Sequence, residues 1–471
     1  MIKYQQKIIT IMVLFSLLIS TAWAAPAVSN SVTNVRFSQK AEAVRIVFDL
    51  DKSANYQVTT ANNGTRIIID FADTQNKSKL AELAIKDPLV QKISFTILDK
   101  NKFRAVIDLT RNSIYKVNTL QNPSRFYIDL IKNYDQKLVA EVMPGLKHIT
   151  LVRSNEKGML TAHVLDVDLK AGFRLRPALA NGQIAGRETL SSIASSQAAL
   201  AAINASYFDV SGEIFGLTMV DSTVVSTTYL TRTAFGMLGD MVPVIDEIGY
   251  NGSVTLPNGS IIPIAGVNTQ RGADSLVLYN SYYAKSTGTN PYGQEYIVKD
   301  GVIIGINGSN TSLATDSVVL SAHGSVQAQM AGLKIGDKVV VEQNLGQSWQ
   351  GATQILGIGP RLIKDGSIYL TTKREEFGGD VAGGRAPRTA VGITRDNHVL
   401  LAVIDGRQPH SVGCTLLELA MLLQEFGAVD AVNFDGGGST EMIIKNEIIN
   451  SPSEGVERKI GNALVVLPKQ G

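Results

Sequence analysis

Between residues 44 and 130 apolar and polar positions alternate with a period of two, the pattern of half-buried strands. Val44 to Phe71 reads VRIVFDLDKSANYQVTTANNGTRIIIDF, and Phe103 to Leu130 reads FRAVIDLTRNSIYKVNTLQNPSRFYIDL. The two align without a gap at an offset of 59 residues, and 11 of the 28 positions are identical. Four of those positions are ionic: Arg45/Arg104, Asp49/Asp108, Arg66/Arg125 and Asp70/Asp129. Each copy predicts strand, turn, strand, with its turn at Asn63-Gly64 or Asn122-Pro123. Neither unit can bury a face alone, so the pair is expected to form two small sheets of one sandwich.

Residues 133–148 are polar around Pro144-Gly145 and read as a linker. From 149 to 471 short apolar runs are punctuated by Gly, Asn and Asp, so this region is strand-rich. Thr189 to Ala199 is a weak helix candidate. Thr415 to Phe426 is a clear one, with Leu416, Leu419, Ala420, Leu423 and Phe426 at helical spacing and Gly427 as its stop. That helix is flanked by two apolar runs. His398 to Ile404 ends in Asp405-Gly406-Arg407, and Val429 to Phe434 ends in Asp435-Gly436-Gly437-Gly438-Ser439-Thr440. Strand, helix, strand predicts two neighbouring parallel strands with a right-handed crossover. Asp405 and Asp435 then share the sheet edge where open α/β sheets place ligands. A third run, Ala198 to Ile203, ends in Asn204. The expected class is α+β: a β-sandwich built from a duplicated unit at 31–132, then a strand-rich mixed α/β domain with a βαβ element carrying the site.

Composition changes the picture at three points. Lys3 and Lys7, the apolar run Ile8 to Ile19 and Ala22-Trp23-Ala24 predict a secretory signal over residues 1–24. The remainder is expected in the periplasm or cell envelope and not integral to the membrane. A single cysteine, Cys414, excludes an intrachain disulfide framework. It starts the clear helix and is expected to be a buried small residue rather than an activated thiol. The net charge of +2 hides a division. Residues 31–132 hold 16 Lys/Arg against 10 Asp/Glu, whereas residues 133–471 hold 26 against 32. A basic module suits an anionic envelope polymer. Nucleic acid is not expected for an exported chain with no aromatic-basic motif.

The repeat, with its RIVFDL and RAVIDL strands and repeated Y-x-V and R-x-x-I-D turns, resembles the AMIN domain over about residues 31–132. That resemblance implies targeting to peptidoglycan or the cell envelope. Four motifs make residues of about 195–468 similar to the phosphodiester glycosidase family. They are Ile203-Asn204-Ala205-Ser206-Tyr207-Phe208, Pro387-Arg388-Thr389-Ala390-Val391-Gly392, Asp405-Gly406-Arg407-Gln408, and Asn433 through Thr440. Ala205 and Ser206 stand where the family pattern has glycines, and His410 stands where an aromatic usually precedes Ser411-x-Gly. The resemblance implies hydrolysis of a sugar-1-phosphodiester in a wall or surface glycan. The alternative is a non-catalytic glycan-binding envelope protein.

Such a substrate calls for a carboxylate at the anomeric centre, donors for the phosphate and a backbone that permits close approach. Asp405 and Asp435 are the catalytic candidates. Gly436, Gly437 and Gly438 could turn successive N–H groups toward an anion, with Ser439 and Thr440 adding hydroxyls. Arg388, Arg407 and Arg458 are candidate phosphate forks. Asn204, Asn433 and His410 complete the substrate-binding candidates, and Glu441 is a reserve carboxylate. The five histidines show no metal-ligand spacing. No metal site or cofactor is expected, with a bound divalent cation left open. A G-x-S-x-G elbow and a P-loop are both missing.

Overall fold

The computed structural model describes residues 30–228 and 230–468. The proposed signal, 1–24, lies outside the described residues. Residues 30–131 form a sandwich of two five-stranded sheets, but the sheets are not one per copy. The first strand of copy one, Ala43–Leu50, pairs with Arg125–Ile131 of copy two; the first strand of copy two, Lys102–Leu109, pairs with Arg66–Ala72 of copy one. This exchange explains the repeated ionic positions. Arg45 faces Asp129 at 2.6 Å and Arg104 faces Asp70 at 2.6 Å. Arg66 lies 2.7 Å from Asp108, and Arg125 lies 3.4 Å from Asp49. Every one of these pairs joins one copy to the other. Each is partly exposed on its arginine side and contributes on the order of 0.5 kcal/mol, and together they fix register. The core between the sheets is aromatic: Phe48, Phe71, Phe103 and Phe126 are buried together.

The segment read as a linker is not one. Tyr134–Met143 is a strand at the edge of an eight-stranded sheet, paired antiparallel with Leu146–Asn155. Its side chains are mostly exposed, so it lacks the apolar alternation that marks a strand in sequence.

Four layers make up the body of the larger region. The helix Leu416–Glu425 covers one face of the eight-stranded sheet through Leu416, Leu419 and Leu423. Thr415 and Glu418 close its first turn as a reciprocal capping box. The other face packs on a five-stranded sheet through Leu401, Val403, Val432, Ile203 and Leu464. The helix Leu190–Ser196, capped by Thr189, covers the far side of that second sheet. Between strand Ala201–Asn204 and strand Arg361–Lys364 the chain inserts three further sheets with their own core.

The βαβ expectation needs one correction. Val399–Ile404 and Ala428–Asn433 run in the same direction, yet they are not neighbours. Arg388–Thr394 lies between them, antiparallel to both. It forms a hairpin with Val399–Ile404, closed where the Asn397 N–H donates to the Thr394 carbonyl. A short hairpin closes at less entropic cost than a helical crossover, so it takes the adjacent position and the helix returns one strand further on. Asp405 and Asp435 still end their strands on one edge, with Arg388 between them at the start of the reversed strand.

Candidate active site

The turn after Ala428–Asn433 positions Asp435 through its backbone. The Asp435 N–H donates to the Ala205 carbonyl at 2.9 Å, and its own carbonyl accepts from Asn204 Nδ2 at 2.6 Å. Asn204 Oδ1 in turn accepts from Thr389 Oγ1 and the Glu441 N–H. Asn433 Nδ2 donates to the Tyr207 hydroxyl at 2.8 Å and to the Phe434 carbonyl at 2.6 Å. Both asparagines are buried and hold the turn. Neither lines the cavity beside it, contrary to the substrate-binding expectation.

The glycine run also has a different use from an anion nest. The N–H groups of Gly437, Ser439 and Thr440 donate to the carbonyls of Pro387, Gly436 and Gly437. Only Gly437 has a positive φ, +63°. A Cβ on Gly436 would lie 2.8 Å from the Pro387 carbonyl oxygen, and one on Gly438 would lie 2.2 Å from Arg458 Nη2. Close approach of the Pro387 backbone, rather than of a phosphate, therefore requires glycine at 436.

Asp435 opens on a cavity of about 760 Å³. Its lining includes four cations, Arg187, Arg232, Arg458 and Lys459, and four carboxylates, Asp209, Glu376, Asp380 and Asp435. Tyr207, Phe208, Phe215 and Phe377 supply flat apolar surface. Of the cations, Arg458 is paired with Glu454, while Arg187, Arg232 and Lys459 form no ion pair among the described residues. Burial lifts the Asp435 carboxyl to about 6, and Ser439, the Gly436 N–H and Arg458 offset only part of that rise.

The remaining candidates separate from this cavity. Asp405 is 2% exposed and its carboxylate is held by three hydrogen-bond partners. Oδ1 accepts from Asn450 Nδ2 at 3.1 Å and the Ser451 N–H at 3.0 Å, and Oδ2 lies 2.9 Å from His410 Nε2. Neither Asp405 nor His410 lines the Asp435 cavity. Behind Asp405 lies a buried histidine, His163, whose Nδ1 sits 3.2 Å from His148 Nε2. Burial and the His163 ring push His148 down to about 4. Arg388 is no phosphate fork. Its guanidinium donates to the carbonyls of Val381, Gly384 and Cys414, bracing the loop that carries Asp380 and Val381. Arg407 is exposed, with its guanidinium about 3.5 Å from the position of a Cβ on Gly437.

Glu441 faces away toward Glu457; burial first, then Glu457, lifts its carboxyl to about 9. Cys414 is fully buried, and burial pushes its thiol up to about 12, so it is a packing residue. Among the described residues no group of three or more His, Cys, Asp or Glu is arranged to hold a metal ion. No helix of the described residues is long and apolar enough to cross a membrane.

Sequence reasoning missed Arg187, Arg232, Lys459 and Phe377. Arg232 lies in the insertion, more than a hundred residues before strand Arg361–Lys364, while Arg187 precedes the insertion beside Glu188, which bridges to Ile460.

Contacts around Asn112 join the two regions. Asn112, at the end of the sandwich strand Lys102–Leu109, donates from Nδ2 to the Pro409 carbonyl at 2.7 Å and accepts the Met159 N–H at 3.0 Å. The Gly64 turn packs on Pro409 beside it. The sandwich thus grips the loop that carries Arg407 and His410.

Comparison with known proteins agrees with the motifs. Residues 34–130 match the AMIN domain, and residues 274–467 match the phosphodiester glycosidase family; the second match begins after Asn204 and its motif. A SPbeta prophage-derived uncharacterized protein, YomE, of Bacillus subtilis is 32% identical over 120 residues, 25% of this chain and 18% of that protein. The N-acetylglucosamine-1-phosphodiester alpha-N-acetylglucosaminidase of Mus musculus is 26% identical over 156 residues, 30% of each chain. The chain therefore spans at most 30% of the length of these two relatives. A hypothetical protein from Synechocystis shares the fold, with a TM-score of 0.63 and 20% identity over 94% of this chain and 81% of its own. By motif and by match, the chain is similar to the AMIN domain over residues 34–130 and to the phosphodiester glycosidase family over residues 274–467.

Proposed function

We propose that the chain is an exported hydrolase that cleaves the C1–O bond of a sugar-1-phosphodiester in an envelope glycan. The observation that carries this reading is Asp435, a carboxyl lifted to about 6 on the wall of a cavity that holds three unpaired cations. A base with that pKa is ionised at neutral pH and still accepts a proton. The sugar sits on the aromatic surface of Tyr207 and Phe377, and the phosphate faces Arg232 and Arg458. Water bonds to C1 as Asp435 takes its proton. The C1–O bond breaks with its electron pair on the phosphate oxygen, leaving free sugar and a phosphomonoester. A phosphate departs as a stable anion, so the cations rather than a second carboxylate assist its leaving.

The methyl phosphodiester of α-N-acetylglucosamine 1-phosphate is the first substrate to test, since the mouse relative acts on an N-acetylglucosamine-1-phosphodiester. Release of free sugar by wild type and its loss in Asp435→Asn support the reading. Equal, background release by both from every 1-phosphodiester tried overturns it.

The sandwich is the envelope-binding part, tethering the hydrolase to peptidoglycan or an anionic polymer. Its support is the AMIN match and the 16 to 10 excess of basic residues. Deleting residues 31–132 is expected to abolish co-sedimentation with purified peptidoglycan, and unchanged sedimentation contradicts tethering.

A further inference from the structure

Gln408 to Ser411 is a closed turn. The Gln408 N–H donates to the Ser411 carbonyl and the Ser411 N–H to the Gln408 carbonyl, each at 3.1 Å. Its tip, Pro409, rests on the sandwich. Asn112 is 1% exposed and uses both ends of its amide on the larger region, Nδ2 on the Pro409 carbonyl and Oδ1 on the Met159 N–H. Gly64, at φ +80°, brings its turn so near that a Cβ would lie 3.3 Å from the Pro409 Cβ. Arg407, just before the turn, has a φ of +60°, which a non-glycine residue keeps only where its surroundings hold it.

The base of this turn reaches the Asp435 cavity by two routes. Gln408 clasps Ser451: its Nε2 donates to the Ser451 carbonyl at 2.7 Å, and its Oε1 accepts from Ser451 Oγ at 2.8 Å. The Ser451 N–H donates to Asp405 Oδ1 at 3.0 Å, so every polar group of Ser451 is fastened to the 405–413 loop. Ser451 opens the 451–459 segment, whose Arg458 and Lys459 line the cavity. The second route is Arg407, which lies beside Gly437 of the Asp435 turn. It also acts on Glu454, the partner of Arg458. The bond to Arg458 first, and the Arg407 charge with it, hold the Glu454 carboxyl below the ordinary carboxylate range.

We propose that the sandwich is a positioning part of the active site and not a tether alone: by fixing the tip of the 408–411 turn it sets, through Gln408 and Ser451, where Arg458 and Lys459 stand in the cavity. Asn112 and Gln408 are then positioning residues that touch no substrate. The consequence for phosphate binding rests on the hydrolase reading, whereas the mechanical link between the two regions does not. Two joints in series release the same segment when either is broken, so their effects do not add.

The test uses the full chain and the methyl phosphodiester, a soluble substrate for which attachment to an envelope is irrelevant. Asn112→Ala and Gln408→Leu are each expected to raise KM about fivefold, the weight of one hydrogen bond, and the double variant also about fivefold. A purely stabilising role would lower the folded fraction, and with it kcat, and leave KM where it is. An unchanged KM in the folded single variants, or a rise of about 25-fold in the double variant, overturns the proposal. If Asn112→Ala does not fold, as judged by its thermal midpoint, Asn112→Asp takes its place, keeping the acceptor for Met159 and losing the donor to Pro409. If wild type cleaves no phosphodiester, the hydrolase reading fails on its own, and hydrogen exchange decides the link. Amides of residues 451–459 exchanging at least about threefold faster in Asn112→Ala than in wild type uphold it, and equal rates overturn it.

Discussion

Asp405 and Asp435 end two strands that run in the same direction to the same sheet edge, and each is followed by glycine. Their surroundings make them opposites. Asp405 is enclosed by donors from Asn450, Ser451 and His410 and does not line the Asp435 cavity. Asp435 has its backbone fixed on both sides and its carboxyl left against open space, lifted to about 6 by desolvation. One carboxylate is an anchor for the 405–413 loop and the other lines a cavity. Position on an edge supplies the opportunity, and the hydrogen-bond partners decide the use.

The largest effect that sharpens this contrast is expected from Asp435→Asn. Sugar release from the methyl phosphodiester should fall about 10³-fold, the usual weight of a general base. Its thermal midpoint should stay level or rise at pH 7.5. Holding this carboxyl about two units above 3.8 costs the fold up to about 3 kcal/mol in its charged form. Next comes Asp405→Ala, which leaves Asn450 Nδ2 and the Ser451 N–H without their acceptor. A loss of about 2–3 kcal/mol in urea unfolding is expected, with activity retained in the folded fraction. An Asp405 variant that folds normally but is inactive breaks the contrast.

pH separates the groups further. Activity is expected to fall as pH drops through 6, since the base must be ionised. Stability carries two opposed contributions. Asp435 is raised, so its penalty is relieved as pH falls from 6 toward 4. His148 is depressed to about 4, so its contribution is lost as pH falls through 6.5. His148→Gln should flatten the acid limb of the melting profile between pH 6.5 and 4, and an unchanged limb contradicts the buried neutral state. The smallest effect is expected from Asn112→Ala, at about 1 kcal/mol. Hydrogen exchange across residues 407–412 should quicken as the sandwich loses its hold on Pro409.

Much of this was legible from residue order. The period-two repeat marked the sandwich, and the Thr415–Phe426 spacing marked its helix with the cap in place. What the repeat could not reveal is which strand pairs with which, because swapped and unswapped sheets bury the same apolar positions. Tyr134–Met143 was hidden for another reason: an exposed edge strand needs backbone partners but no apolar pattern. At the site, residue type located the Asp435 turn but not the direction of its neighbours. Asn204, Asn433 and Arg388 sit in the right motifs and serve backbone carbonyls and loops instead of a ligand. Arg232 sits in no motif and reaches the cavity only through the fold of the insertion.

The measurement that bears most directly on the central claim is a side-by-side assay of Asp435→Asn and Asp405→Asn. Each is assayed for sugar release from the methyl phosphodiester and for thermal midpoint at pH 7.5. The account predicts a stable, inactive Asp435→Asn and a less stable Asp405→Asn that still turns over. A stable, inactive Asp405→Asn beside an active Asp435→Asn would contradict it.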